Sequence, residues 1–147
     1  MKEQPILLVE DNKDDVELTL MAFSQARITN PVVIAQDGVE ALDYLFGQGR
    51  HEGRDTRQQP VVVLLDLKLP RVGGLEVLER LRADERTKYV PVVILTTSTE
   101  QADMLRAGDL HANSYVRKPV DFETFASAAH QLGLYWTVLN EPLIPKP

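Results

Sequence analysis

Five short runs of Val, Ile and Leu recur along the chain: ILLV at 6–9, VVIA at 32–35, VVVLL at 61–65, VVIL at 92–95 and SYV at 114–116. Each is nearly continuous rather than alternating, the pattern of a strand covered on both faces. Between them the apolar residues change to helical spacing. Val16, Leu20 and Phe23 mark a first helix, Val39, Leu42 and Leu45 a second, and Leu75, Leu78 and Leu81 a third. Residues 99–108 form a weaker fourth, with Gly108 as its expected C-cap. A fifth starts at Asp121 as N-cap and carries Phe122, Phe125, Ala126, Ala129, Leu132, Gly133 and Trp136. Strict alternation of strand and helix predicts an α/β fold, a parallel sheet with helices on both faces.

Two stretches break the pattern. GQGRHEGRDTRQQ (47–59) is glycine-rich and charged, without apolar periodicity, and reads as a long surface loop in which His51 is solvated. NEPLIPKP (140–147) holds three prolines and cannot continue a helix. The expectation is one domain over 1–139 and a proline-rich tail over 140–147. A length of 147 residues is enough for one real core. With no cysteine, disulfides and thiolate metal sites are excluded. Acids directly after the first apolar run are wrong for a secretion signal, and no run approaches a membrane span. A net charge of −6 offers no general attraction for nucleic acid. A cytoplasmic protein away from membranes and nucleic acids is expected.

In open α/β sheets, ligands bind beyond the carboxyl ends of the strands. There the chain places Glu10 and Asp11 after strand 1, Asp66 at the end of strand 3, Thr96 and Thr97 after strand 4, and Lys118 and Pro119 after strand 5. A carboxylate such as Asp66, closing the most apolar run, is costly unless paired or metal-bound. Clustered acids repel unless a cation joins them, and Mg²⁺ suits oxygen ligands. Carboxylate, metal, hydroxyl and ammonium together fit phosphoryl transfer, in which an aspartate can itself be the nucleophile. Each residue also has an ordinary reading. Asp11, Asn12 or Asp14 could cap the following helix, Thr96 could be a strand terminus, and Lys118 could be solvated. Four strand ends carrying matching groups favour the chemical reading.

VEDN, LLDLKLPRVGGLEVL, VILTTS and SYVRKP, in this order, resemble the receiver domain of two-component response regulators. The resemblance runs from about Pro5 to Trp136, and the spacings of 30 residues from Asp66 to Thr96 and 52 to Lys118 agree with it. It implies a flavodoxin-like, doubly wound sheet of five parallel strands in the order 2-1-3-4-5 with five helices. It also implies Asp66 as phosphoacceptor, Asp11 and Asp66 as Mg²⁺ ligands with the Lys68 backbone carbonyl, and Glu10 in support. Thr96 would donate to the phosphoryl group, Lys118 would pair with it, Tyr115 would be the switching aromatic, and Pro119 would follow a cis bond. Glu10 departs from the family's more frequent aspartate, its longer arm reaching the metal through water. Lys68 and Ser98 would flank the phosphoryl group and tune its hydrolysis.

The 47–59 segment, LTTS, KPVDFETF and LGLYW resemble the single-domain regulators of bacterial and cyanobacterial phytochromes, which implies a light-sensing histidine kinase as partner. Two other functions compete. An aspartyl-nucleophile phosphohydrolase usually has a second aspartate two residues after the first, where this chain has Lys68. A receiver-like module that is never phosphorylated would have lost some of these groups, and all are present. A terminal helix with Leu134, Tyr135, Val138 and Leu139 off its core stripe, followed by Leu143 and Ile144, predicts a homodimer.

Overall fold

The computed structural model describes residues 4–96, 106–118, 121 and 123, and of Thr96 the backbone alone. The element order is β1 (Ile6–Val9), α1 (Lys13–Gln25), β2 (Val32–Ala35), α2 (Gly38–Phe46), a short 3₁₀ turn (Gly49–His51), β3 (Val62–Asp66), α3 (Gly74–Ala83), β4 (Val92–Thr96) and β5 (Ser114–Arg117). All strand pairs are parallel, in the order β2-β1-β3-β4-β5. That is the doubly wound sheet the sequence implies. Residues 106–109 are helical, and the predicted fifth helix lies outside the described residues apart from helical Glu123.

Side chains along each strand alternate between two cores. One face buries Leu7, Val9, Val63, Leu65, Val92 and Ile94 against Leu42 and Leu45 of α2 and Val77, Leu78 and Leu81 of α3. The other buries Ile6, Leu8, Val62, Leu64, Val93 and Leu95 against Ala22 and Phe23 of α1. Burying a Leu or Ile side chain contributes about 1.5–3 kcal/mol, so the central strands β1, β3 and β4 anchor the fold. β2 does not match its apolar sequence. It is an edge strand, with Val32 and Val33 half-buried and Ile34 39% exposed.

One helix end also differs from sequence expectation. The N–H groups of His111 and Ala112 bond to the carbonyls of Gly108 and Ala107, so the helical segment ends with His111 at φ 62°, not at Gly108. α1 closes the same way, with Arg27 at φ 59° and bonds from Arg27 to Ser24 and Ile28 to Phe23. Neither left-handed position is a glycine, which is why glycine spacing points to the wrong residue.

The 47–59 segment is braced against α2. Gly47 takes the left-handed C-cap at φ 63°. The Arg54 guanidinium donates to the carbonyls of Tyr44 (2.5 Å), Leu45 (3.2 Å) and Gln58 (2.6 Å), and lies 4.1 Å from the Tyr44 ring centre. It thereby satisfies the last carbonyls of the helix. His51 is half-buried and meets Tyr44 edge-on at 5.2 Å, not solvated as expected. Arg82 donates to Val90 O (2.7 Å), His111 O (2.8 Å) and Asn113 Oδ1 (2.9 Å), tying α3 to the start of β5.

Candidate functional site

Parallel register brings the strand ends level. Val9, Leu65, Ile94 and Tyr115 form one row across the sheet. One step further, Glu10 follows β1 and Asp66 ends β3 beside Leu95 of β4. Another step on, Thr96 pairs with Arg117, and Lys118 comes next. Alternation turns Asp66 to the same side as Leu64 and Leu95, the side covered by α1. The acids therefore gather beneath the first turn of α1.

The three candidate caps of α1 separate clearly. The Asn12 side chain accepts from the Asp15 N–H at 3.0 Å, and the Asn12 N–H itself donates to Glu10 Oε2 at 3.2 Å. With Asn12 as cap, Asp11 is left exposed and free of that duty. Carboxylate oxygens of Glu10, Asp11 and Asp66 lie within 4.8 Å of one another. Three carboxylate oxygens at this separation suit a hard divalent cation.

Lys118 runs into the middle of this cluster. Its side chain is 7% exposed, and Nζ lies 2.8 Å from Asp66 Oδ2 and 3.1 Å from Asp15 Oδ2, with Glu10 Oε1 in closer contact still. The other Asp66 oxygen, Oδ1, accepts from the Lys68 N–H at 3.0 Å. Both oxygens of a nearly buried carboxylate (8% exposed) are thus engaged and its rotamer is set. Burial lifts the Glu10 carboxyl to about 7, opposed by hydrogen bonds from Lys118 and from the Asn12 N–H. Burial alone would push the Lys118 ammonium down, but its bonds to Asp66 and Glu10 outweigh this and raise it above the ordinary lysine value.

Two features of the site escaped the sequence reading. Asp15 joins the lysine, which only the docking of α1 reveals. Gly74, at the start of α3, sits so close to the end of β3 that an added Cβ would lie 2.2 Å from Asp66 O and 2.7 Å from Leu67 Cα. Its N–H also donates to Leu67 O at 3.0 Å. The close approach falls on backbone, which cannot swing aside as a side chain could. Gly74→Ala is expected to cost about 2 kcal/mol in urea unfolding, as overpacked sites do. An unchanged midpoint would contradict the contact.

Of the other sequence candidates, Tyr115 is half-buried on β5, its hydroxyl 3.8 Å from where a Cβ on Gly108 would lie, and burial raises its phenol. The Thr96 side chain, Thr97, Ser98 and Pro119 with its expected cis bond lie outside the described residues.

Comparison with known proteins places this arrangement. A probable methanogenesis regulatory protein, FilR2 of Methanothrix harundinacea, is 44% identical over 135 residues, covering 92% of this chain and 84% of that protein. The solved structure of a bacteriophytochrome response regulator, RtBRR, superposes with a TM-score of 0.85 at 48% identity, covering 95% of this chain and 84% of the other. The Mn²⁺-bound form of response regulator Rcp1 gives 0.76 at 32% identity, with 97% and 99% covered; Rcp1 comes from Synechocystis. The family model described as response regulator receiver domain matches residues 6–130. A match that begins at the first residue of β1 and continues past β5, on a sheet of this strand order, makes the chain a member of the response regulator receiver domain family.

Proposed function

We propose that this chain is a phosphorylation-controlled signalling protein that accepts a phosphoryl group on Asp66 from a histidine kinase. The observation that carries the reading is a nearly buried carboxylate held by a buried ammonium at the carboxyl end of the sheet, beside two further acids. In the transfer, an Asp66 carboxylate oxygen bonds to phosphorus as the phosphorus–nitrogen bond to the kinase histidine breaks. The electron pair of that bond stays on the imidazole nitrogen, which takes up a proton. Glu10, Asp11, Asp66 and the Lys68 carbonyl would hold Mg²⁺, which when bound offsets charge on the phosphoryl oxygens. The Mn²⁺-bound form of Rcp1 supports a divalent cation here. Lys68 N–H orients the acceptor, Lys118 neutralises it, Thr96 donates its hydroxyl, and Tyr115 follows Thr96 to alter the surface around β5.

No separate catalytic acid or base is needed. Lys68 stands where a phosphohydrolase would carry its second aspartate, so chemistry beyond self-phosphorylation and its reversal is not part of the reading. The likeness to RtBRR supports a phytochrome-type kinase as donor, and the same reading puts the chain in the cytoplasm beside it. Among the described residues no helix is long and apolar enough to cross a membrane. The test is uptake of one phosphoryl group from acetyl phosphate, followed by intact mass. Uptake with Mg²⁺ and none with a chelator supports the reading, and no uptake with Mg²⁺ overturns it.

Output would pass by contact, and the apolar residues Leu134, Tyr135, Val138, Leu139, Leu143 and Ile144 support a homodimer through the last helix and tail, which lie outside the described residues. The full chain is expected to sediment as a dimer at tens of micromolar, roughly where a Kd near 1 μM is saturated. A truncation ending at Trp136 is expected to be monomeric. A monomeric full-length chain would remove the dimer from this reading.

A further inference from the structure

We propose that Asp15 is a positioning residue that competes with the phosphoryl group for Lys118, and so sets how strongly the site holds its phosphorylated state. The inference rests on Asp66 being the acceptor and goes beyond it.

An ammonium has three N–H donors and no acceptor. In this chain three carboxylates surround Lys118 Nζ: Glu10, Asp66 at 2.8 Å and Asp15 at 3.1 Å. One donor is thus available for each, and none is left over. The Asp15 backbone is held at both ends. Its N–H bonds to the Asn12 cap at 3.0 Å, and its carbonyl accepts from Thr19 Oγ1 at 2.8 Å. The carboxylate therefore leaves a fixed point on the first turn of α1, 27% exposed, and reaches inward to the lysine. The Asn12 side chain already caps the helix, so this carboxylate is not needed as a cap.

Phosphorylation redistributes these bonds. It converts one carboxylate into an acyl phosphate bearing roughly −1.5 to −2 charge, with oxygens that draw an ammonium. Lys118 must then turn a donor from Asp66 to a phosphoryl oxygen while Glu10 and Asp15 retain theirs. Glu10 and Asp66 belong to the cation cluster, whereas Asp15 does not. Its negative charge acts on the site through Lys118, and by repulsion on any anion that arrives. Both effects oppose the phosphorylated state.

The test uses the full chain with saturating Mg²⁺ and beryllofluoride, a tetrahedral anion that mimics a phosphoryl group on a carboxylate. Asp15→Asn removes the charge and keeps an acceptor of the same size, so folding should be preserved. It is expected to bind beryllofluoride about tenfold more tightly than the parent, the scale of one hydrogen bond to a charged group. Asp15→Glu, which restores the charge, is expected to return affinity toward the parent value. A second readout needs neither metal nor anion. The Lys118 ammonium, observed by ¹⁵N NMR in the metal-free protein, is expected to exchange its protons with water faster in Asp15→Asn than in the parent.

Equal beryllofluoride affinity in parent and Asp15→Asn, or unchanged ammonium exchange, overturns the role of Asp15 and leaves Asp66 as acceptor intact. Beryllofluoride binding that persists in Asp66→Asn would overturn the acceptor assignment instead. A protein in which the ammonium exchange responds and the anion affinity does not has a merely structural Asp15.

Discussion

Asp66→Asn is expected to take up no phosphoryl group from acetyl phosphate or from a kinase, with labelling falling to background. The substitution keeps the shape of the side chain and the bond from the Lys68 N–H, 3.0 Å from Oδ1, while removing the charged oxygen that would attack phosphorus in the proposed transfer. An amide oxygen is a far weaker nucleophile, and the variant also withdraws a carboxylate from the acid cluster. Asp11→Asn provides the contrast. It leaves Asp66 in place and removes a formal charge from the proposed cation site, so it should weaken Mg²⁺ binding and slow labelling together while labelling remains measurable at high Mg²⁺. Intact mass with and without Mg²⁺ distinguishes the two. Labelling of Asp66→Asn to the parent extent would reject Asp66 as acceptor.

The second large effect concerns folding. Lys118→Met should destabilise the metal-free protein by about 3 kcal/mol, the cost of leaving buried charge without its partner. Mg²⁺ should recover most of the loss, because a divalent cation restores positive charge to the acid cluster. The effect carries a pH signature. Glu10 is lifted from an ordinary 4.5 to about 7, so between these values the unfolded chain binds fewer protons than the folded one. In the metal-free parent, stability from this group falls as pH rises from about 4.5 to about 7 and stays lower above. The Lys118 ammonium has the opposite origin but the same direction. Raised above its ordinary 10.5, it contributes stability that is complete below that value and is lost as pH climbs through the folded one. Without Lys118 the hydrogen bond that pulls Glu10 down is gone, so its carboxyl rises further and the decline should extend to higher pH. Urea unfolding at pH 5 and pH 8, with chelator or with Mg²⁺, measures all of this. A Lys118→Met protein as stable as the parent in chelator would show that the lysine does not hold the acids together.

The sheet was readable because strands covered on both faces need unbroken apolar runs, and β1, β3 and β4 have them. β2 carries a similar run but sits at the edge, where Ile34 is 39% exposed. Apolar composition alone does not distinguish a central strand from an edge strand, since that depends on which neighbours hydrogen-bond to it. The acids were legible for a different reason. A carboxylate at the end of a buried run is costly, so its presence in Asp66 signals a compensating partner. Helix ends were less legible. The left-handed positions that close α1 and the 106–109 segment are occupied by Arg27 and His111, where a search for glycine finds nothing.

The chain's own pattern determined a parallel α/β sheet and strand ends at which Glu10, Asp11, Asp66 and Lys118 gather. Those follow from periodicity and desolvation cost, which are local properties of a sequence. Tertiary structure alone decided that Asp15 shares Lys118 with Glu10 and Asp66, and that Gly74 must lack a side chain to sit against Asp66. It also decided that Arg54 binds an apparently loose segment onto α2. Each of these is a contact between residues distant in sequence or a packing clearance of a few ångströms. Such quantities depend on how the helices settle on the sheet, and one-dimensional spacing carries no record of that.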